Sequence, residues 1–427
     1  MQRFSRSSRL FPVRLLAALA LAVPATAQLG IDWSPVGDPG NPAHPTLPSP
    51  QTAEGSIPYR FDIGTFEITC KQYVGFLNAI APDDPNGLWT SQMETHALGG
   101  IRRTGTPGNY VYTVKGGFED KPVVYTSFWD AARFANWLHN GMASGGQTVF
   151  TTEDGAYTLD PASVAANTVT RNPGARYALP TRPEWWKAGY YEASSQTWYV
   201  SPARSMTTMS GGAPADDDGN TGSLLRSTPV LEDVGSYGLS VGPHGAFDMG
   251  GNAYEWLDRI TFNRREVAGG AWANGAAASN LNNGTNLQRV PAFEDAQSGF
   301  RLVRLTDSVR AVFRNAGTNP ASFTCNLPIP GANWTPAVDL GTTGHALAAV
   351  VAFADPAEFL LSGGQTLLIG GAVAFDLPAQ AGPLASWSVP VPTDVTFVGV
   401  PFSAQAVHVG SVTPFALSNA QDCRIGY

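Results

Sequence analysis

One stretch constrains this chain more than any other: Ala246-Phe247-Asp248-Met249-Gly250-Gly251-Asn252-Ala253-Tyr254-Glu255-Trp256. Adjacent glycines let a backbone turn through conformations that a Cβ makes costly. Asp, Asn and Glu crowd the same turn. Tyr254 and Trp256 read as core anchors, because aromatics bordering a tight loop usually pack. Asn252 reads as a side chain that satisfies backbone groups in the turn. Such a loop can fold back on a hard cation, which wants six to eight oxygens at about 2.3–2.6 Å. It can equally spend its carboxylates on its own N–H groups, and both readings stay open from these residues alone.

The rest of the chain is punctuated in the same manner. With 46 Gly and 33 Pro in 427 residues, few periodic runs are long, and the reading is loop-rich globular structure rather than a helical bundle. Residues 28–58 form an extended, Pro- and Gly-rich lead-in. Tyr59, Phe61 and Ile63 alternate as in a strand, which reads to Thr69. Lys71 to Ile80 has helical spacing. Lys121 to Tyr125 reads as a strand, and Ser127 as the N-cap of a helix over Trp129 to His139. Thr181 with Glu184 forms a capping box for a helix over Pro183 to Glu192. Glu184 and Asp130 read as caps or surface groups, not catalytic acids. Ser201 to Ser236, with Asp216-Asp217-Asp218, reads as a long surface loop. A short strand around Arg265 to Val267 follows.

The N-terminus reads as a leader. Arg3, Arg6, Arg9 and Arg14 precede the apolar run Leu15–Val23, and Ala25-Thr26-Ala27 is a small-x-small cleavage signal. Residues 1–27 are therefore expected to be a secretory signal peptide, with the mature chain secreted, periplasmic or in the cell envelope. That run is too short to span a bilayer, and no transmembrane segment is expected in the mature chain. Without those four arginines the balance is 22 basic to 34 acidic residues, net −12, which argues against nucleic acid as a partner.

After Thr306 the composition changes. Residues 311–427 contain no Lys and carry short β-like runs at His345–Phe353, Gln365–Ile369, Val395–Val400 and Ala406–Val412. They read as a separate all-β, sandwich-like C-terminal domain. Of three cysteines, Cys325 and Cys423 bracket this region and form the candidate disulfide, leaving Cys70 unpaired. The six histidines are scattered, and structural roles are expected for them. No nucleophile elbow, phosphate loop or His-Glu-x-x-His motif occurs.

Taken in order, six segments resemble the formylglycine-generating enzyme family, also called sulfatase-modifying factor domains. They are Phe66-Glu67-Ile68-Thr69 with Phe76-Leu77-Asn78; Lys121-Pro122-Val123 with Asp130-Ala131-Ala132 and Asn136-Trp137-Leu138; Leu179-Pro180-Thr181 with Glu184-Trp185; Gly251 to Trp256; Gly269-Gly270-Ala271-Trp272; and Gly299-Phe300-Arg301. The resemblance covers residues 59–306. It implies an α+β fold, irregular and C-type-lectin-like, often stabilised by calcium. The calcium ligands it implies here are Asp248, the carbonyls of Gly251 and Ala253, and Glu255. A second calcium site would draw on Asp216 to Asp218 and Asn220, where a solvated acidic run is the better reading.

The resemblance also implies a copper(I) oxidase chemistry on two cysteines five residues apart, after the Gly-Gly segment. The matching positions are Asn274 and Ser279, and no cysteine lies between Cys70 and Cys325. Soft thiolates suit copper(I), whereas amides and hydroxyls do not. The expectation is therefore a secreted, non-catalytic member with a binding or structural role. The alternative is a protein-modifying oxidoreductase with an atypical mechanism. A polar corner, Trp272, Asn274, Asn282, Asn286 and Arg289, is a candidate cleft for an extracellular peptide or glycan, set against the plainer reading of a solvated loop.

Overall fold

The computed structural model describes residues 29–44, 54–281, 287–306, 309–315, 317, 319–341, 343–361, 364–410 and 415–426. The leader expected over residues 1–27, part of the lead-in, and Asn282 and Asn286 lie outside the described residues. No helix among the described residues is long and apolar enough to cross a membrane.

Three helices reach into the first core: α1 (Cys70–Ile80), α2 (Phe128–His139) and α3 (Arg182–Tyr190). Each opens with a capping box, Thr69 with Gln72, Ser127 with Asp130, and Thr181 with Glu184. Reciprocal bonds of this kind satisfy N–H groups that the first helical turn would otherwise strand. Asp130 and Glu184 are thus caps, but both are buried rather than on the surface. Helix α3 ends before the expected Glu192, because Tyr191 and Glu192 pair with Trp198 and Thr197 in a short hairpin.

Aromatic rings lock the helices together. The Phe76 ring lies 5.1 Å from Phe134 and 5.3 Å from Trp137, and Phe134 lies 5.4 Å from Phe300. Such offset and edge-on pairs add to plain area burial. Two four-stranded sheets flank this core. One has the order Trp33–Val36, Phe61–Gly64, Val303–Arg304, Tyr177–Ala178; the other runs Leu287–Arg289, Arg264–Ala268, Tyr254–Thr261, Ser298–Gly299. In the second sheet the hairpin strands are called β1 (Tyr254–Thr261) and β2 (Arg264–Ala268).

The strand expected over Lys121–Tyr125 does not form. Pro122 has no N–H to give, Val123 donates to Ile68 and Tyr125 donates to Asp295. With donors sent to different neighbours, and Tyr125 at φ +64°, no continuous ladder results. The expected surface loop over Ser201–Ser236 is also partly internal. Ser201, Ser223 and Leu224 are buried, and Ser210–Gly211 pairs in parallel with Thr221–Gly222.

Beyond Thr306 the described elements are strands and one 3-10 turn. Five antiparallel strands lie in the order β3 (Arg310–Arg314), β7 (Phe415–Arg424), β6 (Pro401–Val409), β4 (Leu347–Leu360), β5 (Thr366–Ala381). A three-stranded sheet, Phe323–Thr324, Ala337–Asp339 and Leu384–Ser386, shares a core with them. Phe323, Val338 and Ala385 come from the small sheet, and Val350, Phe402 and Cys423 from the large one. Trp334 fills the middle, 5.2 Å from the Phe402 ring. The strand expected at Val395–Val400 is instead a 3-10 turn over Val395–Phe397, where Asp394 accepts the Thr396 N–H at 2.9 Å. A short acidic side chain that captures the next backbone donor competes with strand pairing.

Candidate functional site

The glycine-rich loop sits at the entry to β1, against the N-terminal end of α1. Three of its residues adopt left-handed backbone: Asp248 at φ +55°, Gly251 at +99° and Asn252 at +59°. At Gly251 a Cβ would stand 2.6 Å from the Ser223 carbonyl oxygen, so only glycine fits. The loop is stitched on both sides: Gly251 N–H donates to Gly269 and Asn252 N–H to Ser223. Asn252 accepts from the Glu232 N–H at 3.1 Å and donates to Glu67 at 2.9 Å, so its side chain serves groups outside the turn rather than the turn's own backbone. Tyr254 and Trp256 are buried.

At the centre lies a buried ion pair. Glu255 and Arg301 are both wholly buried, and the guanidinium grips the carboxylate with two bonds of 2.6 and 2.7 Å. Trp185 Nε1 donates to the same carboxylate at 2.7 Å. Arg301 also donates to the carbonyls of Gly64 at 2.9 Å and Phe247 at 2.8 Å. One side chain thus ties the strand Phe61–Gly64, the loop and β1 together. The planar fork of arginine is suited to this, because it offers five donors in fixed directions.

Two further carboxylates face this pair. Glu67 accepts from Ala253 N–H at 3.0 Å and from Asn252. Burial pushes its pKa well above the usual range; the charges of Asp248 and Glu255 add to that, and Arg301 opposes it. Asp248 accepts from Gly235 N–H at 2.6 Å. Burial raises its pKa to about 6, against the pull of that N–H and of Arg301. For Arg301 burial works against the charge, but Glu255 outweighs it and its pKa is raised. The arrangement is one cation amid three carboxylates, with Glu67 held toward its neutral form. Glu67, Asp32, Lys71, Asp120 and Asp233 border a cavity of about 350 Å³ beside it.

This geometry bears on the expected calcium ligands. Asp248 and Glu255 are brought to one place, but both oxygens of Glu255 are taken by Arg301 and Trp185. In this arrangement the counter-charge beside Glu255 is the Arg301 guanidinium. Asp217 of the acidic run is likewise employed: it accepts from Gly219 N–H at 3.1 Å, Leu239 N–H at 2.7 Å and Ser240 Oγ at 2.6 Å. Asp218 accepts from Asn220 N–H and Thr221 Oγ1. The run that reads as solvated is in part a set of turn caps.

Glu67, Trp185 and Arg301 have no assigned role in the sequence reading beyond their place in matching segments. Arg301 carries a usable signal. A charge inside the apolar run Gly299-Phe300-Arg301-Leu302-Val303 must find a buried partner.

The corner downstream is held by its own backbone. Asn274 Oδ1 accepts from Ala271 N–H at 2.8 Å, and the buried Ser279 donates from Oγ to Ala276 O at 2.8 Å. Trp272 is half-buried and donates from Nε1 to Ala296 O at 3.3 Å. Arg289 pairs with Asp295 at 2.7 Å and bonds Ser298 Oγ; its guanidinium lies 5.0 Å from the Tyr254 ring and 4.8 Å from Phe293. Trp272 and Arg289 therefore both lean on residues 295–298.

The thiols are placed apart from this corner. Cys70 is buried, its Sγ 3.8 Å from Pro122 O, and burial pushes its pKa up to about 12. Cys325 and Cys423 stand with sulfurs 3.9 Å apart as free thiols. His345 and His408, scattered in sequence, meet with rings 5.4 Å apart.

The family model for the sulfatase-modifying factor enzyme 1-like domain matches residues 48–306, more than half of the chain. Among solved structures, Treponema denticola variable protein 1 is similar at 15% identity and a TM-score of 0.35, over 64% of this chain and 94% of that one. No curated protein matches.

Proposed function

Because the chain belongs to the sulfatase-modifying factor enzyme 1-like family, we propose that it keeps the family fold without the copper chemistry and acts as a binding or structural protein outside the cytoplasm. The observation that carries this reading is the use made of Asn274 and Ser279. Where the resemblance puts two thiolates, an amide oxygen accepts from Ala271 N–H and a hydroxyl donates to Ala276 O within a 3-10 turn. Neither group is a ligand for copper(I). Cys70 is no substitute, since a buried thiol held near pKa 12 supplies almost no thiolate at neutral pH. Export rests on the basic-apolar-small leader over residues 1–27.

Arg301 supplies the positive charge that calcium would bring to Asp248 and Glu255, so the loop is stapled by a guanidinium. Residues 59–306 and 311–427 form two domains, the second a sandwich-like pair of sheets; the two separate hydrophobic clusters support that division. The corner at Trp272, Asn274 and Arg289 is the place for a peptide or glycan, supported by a half-buried tryptophan beside a fixed arginine. Substituting Trp272→Ala and Asn274→Ala together is expected to abolish capture on peptide or glycan arrays, and unchanged capture would remove the cleft.

The test of the main reading is metal content with turnover. Purified mature protein is expected to carry no stoichiometric copper or iron, to keep its melting temperature in EDTA, and to leave a Cys-x-Pro-x-Arg peptide unoxidised. Stoichiometric copper, or conversion of that cysteine to an aldehyde, would establish the alternative of a protein-modifying oxidoreductase.

A further inference from the structure

A second site lies where the first core meets the strands beyond Thr306. A groove of about 460 Å³ runs between the end of α2, the segment Gly174–Tyr177, the strand Val303–Arg304 and the paired strands β3 and β7. Arg176, Arg304, Arg310 and Arg424 all line it. Four guanidiniums converging in a chain of formal net charge −8 is a strong local reversal of sign.

Their bonding is uneven. Arg304 is spoken for, with Asp62 at 2.6 Å. Arg176, Arg310 and Arg424 have no carboxylate within 4.0 Å among the described residues. Arg176 donates to the carbonyl of His139, and Arg424 to the carbonyl of Thr306 at 2.8 Å.

Two independent features mark the groove as incomplete. Arg310 and Arg424 are direct cross-strand partners in the β3–β7 ladder. Like charges set opposite each other in an antiparallel pair are destabilising unless something neutralises them. Further, the Nε of Arg424 is buried with no hydrogen-bond partner. A buried N–H of a charged group is costly to leave unmade. An oxyanion between the two strands would answer both.

We propose that this groove binds a small ligand bearing two or more oxyanionic groups. Three guanidiniums without acidic partners among the described residues present planar pairs of donors, the geometry that matches carboxylate, sulfate and phosphate oxygens. The volume is that of a site for a small organic molecule. The shared chemistry is a multivalent oxyanion, held at the seam of the two parts of the chain by residues that have no part in the Asn274–Ser279 corner.

The test is calorimetric titration of the full mature chain at fixed ionic strength with three probes: citrate, pyrophosphate and a disulfated disaccharide. At least one is expected to bind, and the tightest identifies the head group. Arg310→Ala and Arg176→Ala are each expected to weaken that binding at least about tenfold. Arg204→Ala, which removes an arginine donating only to the Pro243 carbonyl elsewhere, should leave it unchanged. Arg310→Glu should abolish binding and raise the melting temperature of the ligand-free protein, because it turns a like-charge pair into an opposite one; a misfolded variant could not give that result. Failure of all three probes to bind, equal binding by Arg310→Ala, or equal weakening by Arg204→Ala would each overturn the proposal.

Discussion

Replacing Arg301 by methionine tests the reading of the loop most directly. The wild-type guanidinium makes two bonds to Glu255 and one each to the carbonyls of Gly64 and Phe247, all at 2.6–2.9 Å. Methionine fills much of the volume and makes none of them. Glu255 would keep the Trp185 N–H, with Glu67 and Asp248 nearby and no cation. Removing one partner of a buried pair costs about 3–5 kcal/mol, because the other charge is left uncompensated. Two stranded backbone carbonyls add about 1 kcal/mol each, so a loss of roughly 5–7 kcal/mol is expected. Urea unfolding followed by tryptophan fluorescence reads this well, since nine of the eleven tryptophans precede Thr306. Glu255→Gln should cost less in the Arg301→Met background than in wild type, with a coupling of at least about 2 kcal/mol. A loss under about 1 kcal/mol for Arg301→Met, or strictly additive losses in the double mutant, would refute the argument that this pair staples the fold. A wild-type protein that loses comparable stability in EDTA would return the role to calcium.

Three further outcomes are expected. Burial raises Asp130 to about 6 from an ordinary value of 3.8, a folded-state rise, so its contribution is fully present below about pH 4 and lost as pH rises through 6. Asp130→Asn should match wild type near pH 4 and exceed it by up to about 3 kcal/mol at pH 8 in denaturant melts, from about two units at ~1.4 kcal/mol each; no change of gap with pH would count against it. Gly251→Ala places a Cβ 2.6 Å from the Ser223 carbonyl at φ +99°, and should destabilise by about 2–4 kcal/mol, read as a lowered urea midpoint. Cys325 and Cys423 need to approach by about 2 Å to bond; mild oxidation should lower the mass by about 2 Da and leave one alkylatable thiol, Cys70, in urea. Three alkylated thiols after oxidation would exclude the pair.

Local chemistry made much of the architecture legible from sequence. The caps at Ser127 and Thr181 start helices because their bonds span only three residues and depend on nothing distant, whereas Thr69, which reads as the end of a strand, caps α1 beyond a strand that stops at Gly64. Tyr254 and Trp256 flank a tight loop and pack, as bordering aromatics do. The break in composition after Thr306 separates a helix-bearing part from one built of strands. The order of six short segments was enough to point to the family that the match over residues 48–306 supports.

Where local propensity met long-range partners, the tertiary structure decided. Lys121–Tyr125 has a strand-like pattern, yet its donors go to Ile68 and Asp295, and no ladder forms. Asp248 and Glu255 read as calcium ligands, with carboxylates bonded to protein groups as the alternative. What settles the geometry of Glu255 is Arg301, 46 residues away, because a buried carboxylate takes whichever cation the fold delivers. The arginine groove is further still from sequence reasoning. Arg176, Arg310 and Arg424 are ordinary surface charges until strand pairing and the packing of α2 bring them to one seam. Charges repel or attract according to separation in space, and only the folded chain sets that separation.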